Sequence, residues 1–358
     1  MPGSDDKGSS TEKRKGEHVD IVINRNVRAE YNYWDDLTLI HDPLPELDFD
    51  SISIETKFLG RKIAAPLVIS GMTGGFGKAE EINRNLAAAA SEMQIPMGVG
   101  SQRAAIEDAG LRKTYSVVAD YDIPLRIANL GAPQLIEQTG RRAYGVEEAW
   151  VAMEMIDAGL LAVHLNYLQE VVQPEGDRRA SGVTDAIAAI SREIPVMAKE
   201  TGAGIGGGAA ARLRDAGVRA IDVGGLGGTS WSAVESYRSK GDGDWKRKRL
   251  GTTYWNWGIP TPVSIMQAKV GLPLVATGGI RNGLDAAKAV CLGASAAGLA
   301  GALIKQAAES RDAVMREIEI IIEEMKAAMF LTGSSTVGEL AGRECIISGQ
   351  SREWLSRV

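Results

Sequence analysis

The chain has 358 residues, 44% hydrophobic and 24% charged, which is the profile of an ordinary soluble globular protein. Its formal net charge of −6 excludes bulk attraction to nucleic acid, so an anionic ligand needs a local cationic site. Cys291 and Cys345 belong to no CxxC or Cys/His cluster, which argues against a disulfide framework, a zinc site or an iron–sulfur cluster. No run of about 18 apolar residues could span a membrane, and the N-terminus is polar; a cytoplasmic protein without membrane or nucleic-acid partners is expected.

Residues 1–13 are polar, Gly/Ser-rich and aperiodic, so a mobile segment is expected ahead of one domain over 14–358. Short apolar runs then recur at 64–70, 96–100, 125–130, 161–166, 195–200, 219–225, 272–279 and 295–301. Segments of helical character separate them, at 78–92, 145–159, 184–193, 207–217 and 283–293. Continuously apolar strands alternating with helices indicate a parallel sheet covered on both faces. Eight such units, mostly roughly 22 to 35 residues apart, predict an α/β chain folded as a (β/α)8 TIM barrel. The gap between the sixth and seventh strands is longer and holds the charged, aromatic stretch 231–262, read as an insertion made of a long βα loop plus helix covering the barrel mouth. A last helix is expected over 310–330, followed by a tail of ordinary polarity.

Ligands of such barrels bind at the C-terminal ends of the strands. Polar and Gly-rich segments lie there: SGMTGG (70–75), GSQR (100–103), NLGAPQ (129–134), HLNYLQE (164–170), KETGAGI (199–205), GGLGGTSW (224–231), TGGIRNG (277–283) and AGA (300–302). Any one of these could be a tight turn; eight converging on one face suggest a site. Small residues in the last two loops let backbone N–H groups approach a phosphate, helped by a helix N-terminus, and place Gly279, Ile280, Arg281, Ala300 and Gly301 around it. Lys199, ending the fifth strand, could form a Schiff base, pair with a phosphate, or hold a reduced, anionic flavin. His164 and Asn166 alternate onto one side, and Gln169 and Glu170 follow at the rim. Glu170 suits Mg²⁺ bridged to diphosphate oxygens, or equally a helix-start carboxylate; His164 could equally be a buried, satisfied histidine. Arg103 has a donor fork fitted to phosphate. Arg14, Lys15 and His18 form a basic cluster that matters only if the N-terminal arm folds over the mouth.

RKGEH, SGMTGG, MGVGSQR, NLGAPQ, HLNYLQE with QPEGD, KETGAGI, GGTSW, WGIPT and TGGIRNG, in this order from about Arg14 to Cys345, resemble the type 2 isopentenyl diphosphate isomerases. HLNxLQE with QPEGD is specific, whereas TGGIRNG is shared with many flavin barrels. The resemblance implies interconversion of isopentenyl and dimethylallyl diphosphate with FMN, Mg²⁺ and a reductant such as NADPH, in a homo-oligomer, tetramer or octamer. It implies that Ser70, Gly71, Met72, Thr73, Ser101, Asn129, Lys199 and Thr229 line the flavin. It also implies that Arg14, Lys15, His18, Arg103 and His164, with Ser101 and Gln102 beside Arg103, bind substrate, that Gln169 lies near the reacting carbons and that Glu170 holds Mg²⁺. Gly224 stands where family members often have Ser, which weakens one flavin contact, and Thr201 stands where Ser is usual.

The implied reaction moves a double bond without net redox change. Protonating an alkene demands a strong, positioned acid and nearby negative charge. No Cys–Glu pair offers itself, and the resemblance implies that reduced FMN is the acid/base, with Lys199, Gln169 and His164 in catalytic roles. The rival is an FMN barrel oxidoreductase of the 2-hydroxy-acid oxidase type. Such an enzyme needs a His base near the sixth or seventh strand, whereas the barrel histidine here is on the fourth.

Overall fold

The structure is a computed structural model that describes residues 10–239 and 244–357. Eight parallel strands close a barrel in chain order: β1 (Leu67–Ile69), β2 (Met97–Gly98), β3 (Arg126–Gly131), β4 (Leu160–Leu165), β5 (Val196–Glu200), β6 (Ala220–Asp222), β7 (Leu274–Ala276) and β8 (Ala296–Leu299). Each falls on its expected apolar run to within a residue. The helices Ala79–Glu92, Val146–Met155, Val183–Ser191, Gly207–Asp215, Gly283–Cys291 and Arg311–Phe330 fall on theirs. Among the described residues no helix is long and apolar enough to cross a membrane.

The period of two along each strand sorts side chains between two cores. Val68, Ile127, Leu160, Ala162, Met197, Ala220, Val275 and Ala296 point inward and pack with Phe58 and Ile63. Those two belong to an antiparallel hairpin, Thr56–Phe58 and Arg61–Ile63, that plugs the end where the strands begin. The alternate residues Leu161, Val163, Val196, Ala198 and Ile221 pack outward under the helices. With an apolar floor sealed by Phe58, a ligand can enter only at the opposite end.

Three parts of the chain differ from the sequence expectation. A helix, Ser10–Asn24, begins inside the segment expected to be mobile; residues 1–9 lie outside those described. Ion pairs hold that helix, so an apolar-periodicity test passes over it. The 231–262 insertion contains the helices Trp231–Arg238, Trp245–Thr253 and, from Thr261, Thr261–Gln267. The tail strand Cys345–Ile347 pairs antiparallel with Leu37–Leu39, a long-range match of two short strands that leaves little local signal.

Trp34 ties the segment before the barrel to the loop after β7. Its side chain is fully buried, its Nε1 donates to the Gly278 carbonyl at 3.1 Å, and its own carbonyl accepts from Lys288 Nζ at 2.8 Å. Trp34→Ala should therefore cost about 3–5 kcal/mol, read as a lower midpoint in chemical denaturation; a loss below about 1 kcal/mol would show that the segment is not anchored there.

Candidate active site

Continuing the inward alternation one step beyond the apolar layer places polar residues at the barrel's open end. After Ala162, Met197 and Ala220 come His164, Lys199 and Asp222, and the strand register aligns Gly131 with His164, His164 with Lys199, and Lys199 with Asp222. Asn129 joins the layer from β3, and Ser70 and Thr277 follow β1 and β7. Buried polar groups call for partners, and apart from Ser70 these have them. Lys199 Nζ lies 2.6 Å from Asp222 Oδ2, and Thr277 Oγ1 donates to Asp222 Oδ1. His164 Nδ1 lies 2.7 Å from Asn129 Oδ1, while the Asn129 Nδ2 group donates to the Val99 carbonyl at 2.9 Å. That second bond fixes the amide, so His164 donates through Nδ1–H and its Nε2 carries a lone pair. Burial, then the Lys199 and Lys15 charges, pull the His164 pKa down to about 4, so the imidazole is neutral at pH 7.

Beside this layer two glycine loops pack backbone to backbone. A Cβ on Gly278 would lie 2.2 Å from the Gly225 carbonyl oxygen, and one on Gly279 would lie 2.7 Å from that of Gly227. Gly278 and Gly279 both have positive φ, 112° and 80°, which favours glycine again. Thr229 is brought next to Gly301, joining the loops after β6 and β8. Ile280 is buried there, and Arg281 is held at the rim by Asp285, Nε to Oδ2 3.0 Å. The helix after β7 has its start capped from within: Asp285 N donates to the Asn282 side chain and Gly283 N to Glu324 Oε2 at 2.6 Å. The first N–H groups of that helix are therefore already engaged, against the expectation that its N-terminus is open to a phosphate.

The N-terminal arm does fold over the mouth. Residues 27–29 run along 228–230, with Ala29 N donating to Gly228 O at 2.9 Å and Ser230 N to Val27 O at 2.7 Å. Lys15 Nζ reaches the Ser101 carbonyl at 2.6 Å and the Tyr115 hydroxyl at 2.5 Å. Burial, then repulsion from Arg14 and Arg103, brings the Lys15 pKa down to about 7. His18 Nε2–H donates to Glu235 Oε1 at 2.8 Å; Gln169 Nε2 donates to the same oxygen at 3.0 Å, and Arg238 Nη1 binds Oε2 at 2.5 Å. Burial pushes the Glu235 pKa up, but His18 and Arg238 more than offset it and hold the carboxyl below its usual range. Arg14 and Arg238 both meet Glu175, at 3.5 and 2.9 Å. Glu235 and Arg238 were missed by sequence reasoning, because partners contributed by an insertion have no fixed spacing to the residues they serve; Glu175 stood inside the QPEGD motif without being given a role. Asp222 was missed as well, although a signal was there: a lone carboxylate inside the apolar run RAIDVGG calls for a buried cation.

Glu170 lies on the rim but buried, accepting from Asn166 Nδ2 (2.9 Å), Gln173 Nε2 (2.5 Å) and Asp177 N (2.7 Å). Oε1 takes one of these bonds and Oε2 two, so Oε1 retains a lone pair for one further ligand. Among the described residues no group of three or more His, Cys, Asp or Glu could enclose a metal, which leaves a single carboxylate with bridging substrate oxygens as the form that fits Mg²⁺. Asp177 in turn pairs with Arg103 at 3.1 Å and with Arg141.

The chemistry of the barrel end suits a flavin. A narrow cleft there is lined by Ser70, Gly71, Asn129, Lys199 and Asp222 above Val68, Ile127, Ala162 and Met197, and Ser70 Oγ and Thr73 Oγ1 are buried without a partner. Met72 lies beside them, half-buried. Two expected contacts are corrected. Gln102 is fully enclosed: its Oε1 accepts from Asn129 N at 2.9 Å and its Nε2 donates to Ala152 O at 2.8 Å, so it clamps β3 to the helix behind instead of facing the mouth. Gly224 has φ 45°, and a Cβ there would lie 1.9 Å from the Glu200 carbonyl oxygen; it serves loop packing, with no room for a side chain to touch a ligand.

An anion placed among Lys15, Arg14 and Arg103 opposes the effects that depress Lys15, so its pKa must rise on binding. At pH 8 the empty site carries mostly neutral Lys15, and inorganic diphosphate should draw up to one proton from solution, with less uptake at pH 6 where Lys15 is already charged. Calorimetry in buffers of different ionisation enthalpy measures this; equal uptake at both pH values would place the diphosphate elsewhere.

Comparison with known proteins gives this geometry its family. A model of the FMN-dependent dehydrogenase family matches residues 258–347, the stretch that carries the glycine loop after β7 and the eighth strand. Among solved structures, a mandelate oxidase variant superposes with a TM-score of 0.62 over 95% of this chain and 100% of its own, at 18% identity, a likeness of fold alone. Full-length sequence relatives are nearer. A protein of Thermoplasma volcanium is 49% identical over 96% of this chain and 99% of its own. Others from Methanosarcina mazei, covering 98% and 95%, and Pyrococcus furiosus, covering 98% and 91%, are each 46% identical. All three are named isopentenyl-diphosphate delta-isomerase, and this chain belongs to that family in its type 2, FMN-dependent barrel form.

Proposed function

We propose that the protein interconverts isopentenyl and dimethylallyl diphosphate, using reduced FMN as acid/base catalyst with Mg²⁺ on the diphosphate and NADPH as reductant. The observation that carries this reading is that Lys199, paired with Asp222, and His164, paired with Asn129, end the barrel strands beneath a rim and arm where Gln169, Glu170, Lys15 and His18 are each held by a partner of their own. When bound, the reduced coenzyme supplies an acidic N5–H and an electron-rich ring that stabilises positive charge above it. The chain's own residues do the rest. Ser70, Thr73 and Asn129 face that cofactor, and Gly279, Ile280, Arg281, Ala300, Gly301 and Thr229 enclose its phosphate. Lys15, Arg14 and Arg103 hold the diphosphate, and Glu170 holds the metal through Oε1. His164, neutral, offers a lone pair at Nε2 to a protonated oxygen. Gln169 is oriented by Glu235 and passes a proton at its amide oxygen. The arm keeps water from the carbocation.

A 2-hydroxy-acid oxidase function is not supported. The position after β7 is Thr277-Gly278-Gly279, and of the chain's 3 histidines only His164 stands in the barrel. The protein is further proposed to act as a cytoplasmic homo-oligomer, tetramer or octamer.

Incubated without oxygen with isopentenyl diphosphate, FMN, Mg²⁺ and NADPH, the protein should form dimethylallyl diphosphate, and none when NADPH is withheld and the flavin stays oxidised. Equal turnover with oxidised flavin would refute the acid/base role. Glu170→Gln should lower activity at least tenfold and raise the Mg²⁺ concentration needed for half-maximal rate; an unaltered Mg²⁺ curve would remove Glu170 from the metal.

A further inference from the structure

The Lys199–Asp222 pair has a consequence for the flavin itself. By its position Lys199 could serve as a bare cation toward an anionic ring, yet it is already matched by a carboxylate at 2.6 Å, with Asp222 only 2% exposed. The match is built with care from three strands. Register on β5 and β6 sets the two residues opposite each other. Thr277, following β7, donates to the other oxygen of Asp222 and lies 3.4 Å from Lys199 Nζ, closing a triangle. Both residues line the cleft together with Ser70, Gly71 and Asn129. The nearest titratable group along the layer, His164, is neutral at pH 7 and leaves the balance to the pair.

We infer that Asp222 is a positioning residue that fixes the Lys199 ammonium against the cleft and sets how much of its charge reaches the bound flavin. The inference rests on the proposed function, since it requires FMN in this cleft. A barrel end with Lys199 alone would present a full positive charge and favour the reduced, anionic flavin strongly. With Asp222 paired, the field at the ring is that of an oriented dipole, and Thr277 stops the carboxylate from turning away. The fold thus grips the cation without letting it dominate, which suits a coenzyme that must both give and regain a proton.

The test is the midpoint potential of FMN bound to the whole protein, measured by slow reduction against reference dyes. Removing the carboxylate charge with Asp222→Asn leaves Lys199 uncompensated and should raise the reduced-to-oxidised ratio at fixed potential at least tenfold, an upward shift of about 30 mV for a two-electron couple. Asp222→Glu should restore most of the wild-type value. A residue that only braced the barrel would lower stability or flavin content and leave the potential in place, so an unmoved potential in a folded, FMN-loaded Asp222→Asn overturns the inference. If that variant does not fold, Thr277→Val, which frees the carboxylate to turn, should shift the potential in the same direction by a smaller amount, and no shift there overturns it equally. Wild-type protein that isomerises substrate while the variants keep their potential leaves the proposed function standing; wild-type protein that takes up no FMN removes both.

Discussion

The inward alternation of eight short strands governs what this protein can hold. It fills the barrel with apolar side chains up to Ala162, Met197 and Ala220, and on the next inward step it must seat His164, Lys199 and Asp222. Groups of this kind cannot be left buried alone, because an unpaired charge or amide in such surroundings costs several kcal/mol. Every bond that satisfies them also orients them: Asn129 sets the imidazole tautomer, and Asp222 sets the ammonium. The layer is therefore both a structural necessity and a preset chemical surface. The plugged far end, with Phe58 and Ile63 in the core, makes that surface reachable from one side only.

Above this layer the mouth is assembled by charge. Glu235, buried in the insertion, receives His18 from the arm, Gln169 from the loop after β4 and Arg238 from its own helix. Three stretches distant in sequence meet on one carboxylate, so arm, insertion and rim are placed together. Asp177 does similar work between Arg103, Arg141 and the backbone contact it makes to Glu170. Arg14, Lys15 and Arg103 are thereby held close together. Lys15 shows the cost: packed against Tyr115 and two arginines, it has its pKa down near 7.

Much of this was legible in the chain. Apolar runs and intervening helices gave the barrel and its order because strands buried on both faces leave an uninterrupted apolar signature. The residues ending those runs marked the open end of the barrel, the face on which such folds bind ligands. Glu235 and the N-terminal helix were not legible, because the contact that joins them runs between distant stretches: His18 and Glu235 are 217 positions apart. Gln102 misled because it adjoins Arg103 in a motif that reads as polar rim, whereas a strand-to-helix turn sends neighbouring side chains in opposite directions, one outward and one into the wall. Gly224 misled because family pattern suggested a missing side chain where the backbone itself leaves no space for one.

The central claim is that the barrel end holds a reduced flavin that exchanges protons and is not consumed as an electron donor. The most direct measurement reduces the FMN-loaded protein once, without oxygen and without NADPH, then adds excess isopentenyl diphosphate in deuterated water. The account predicts many equivalents of dimethylallyl diphosphate per flavin, deuterium in its newly formed methyl group, and an absorption spectrum that stays that of reduced flavin. At most one equivalent of product, with the flavin returning to its oxidised spectrum as it forms, would contradict it.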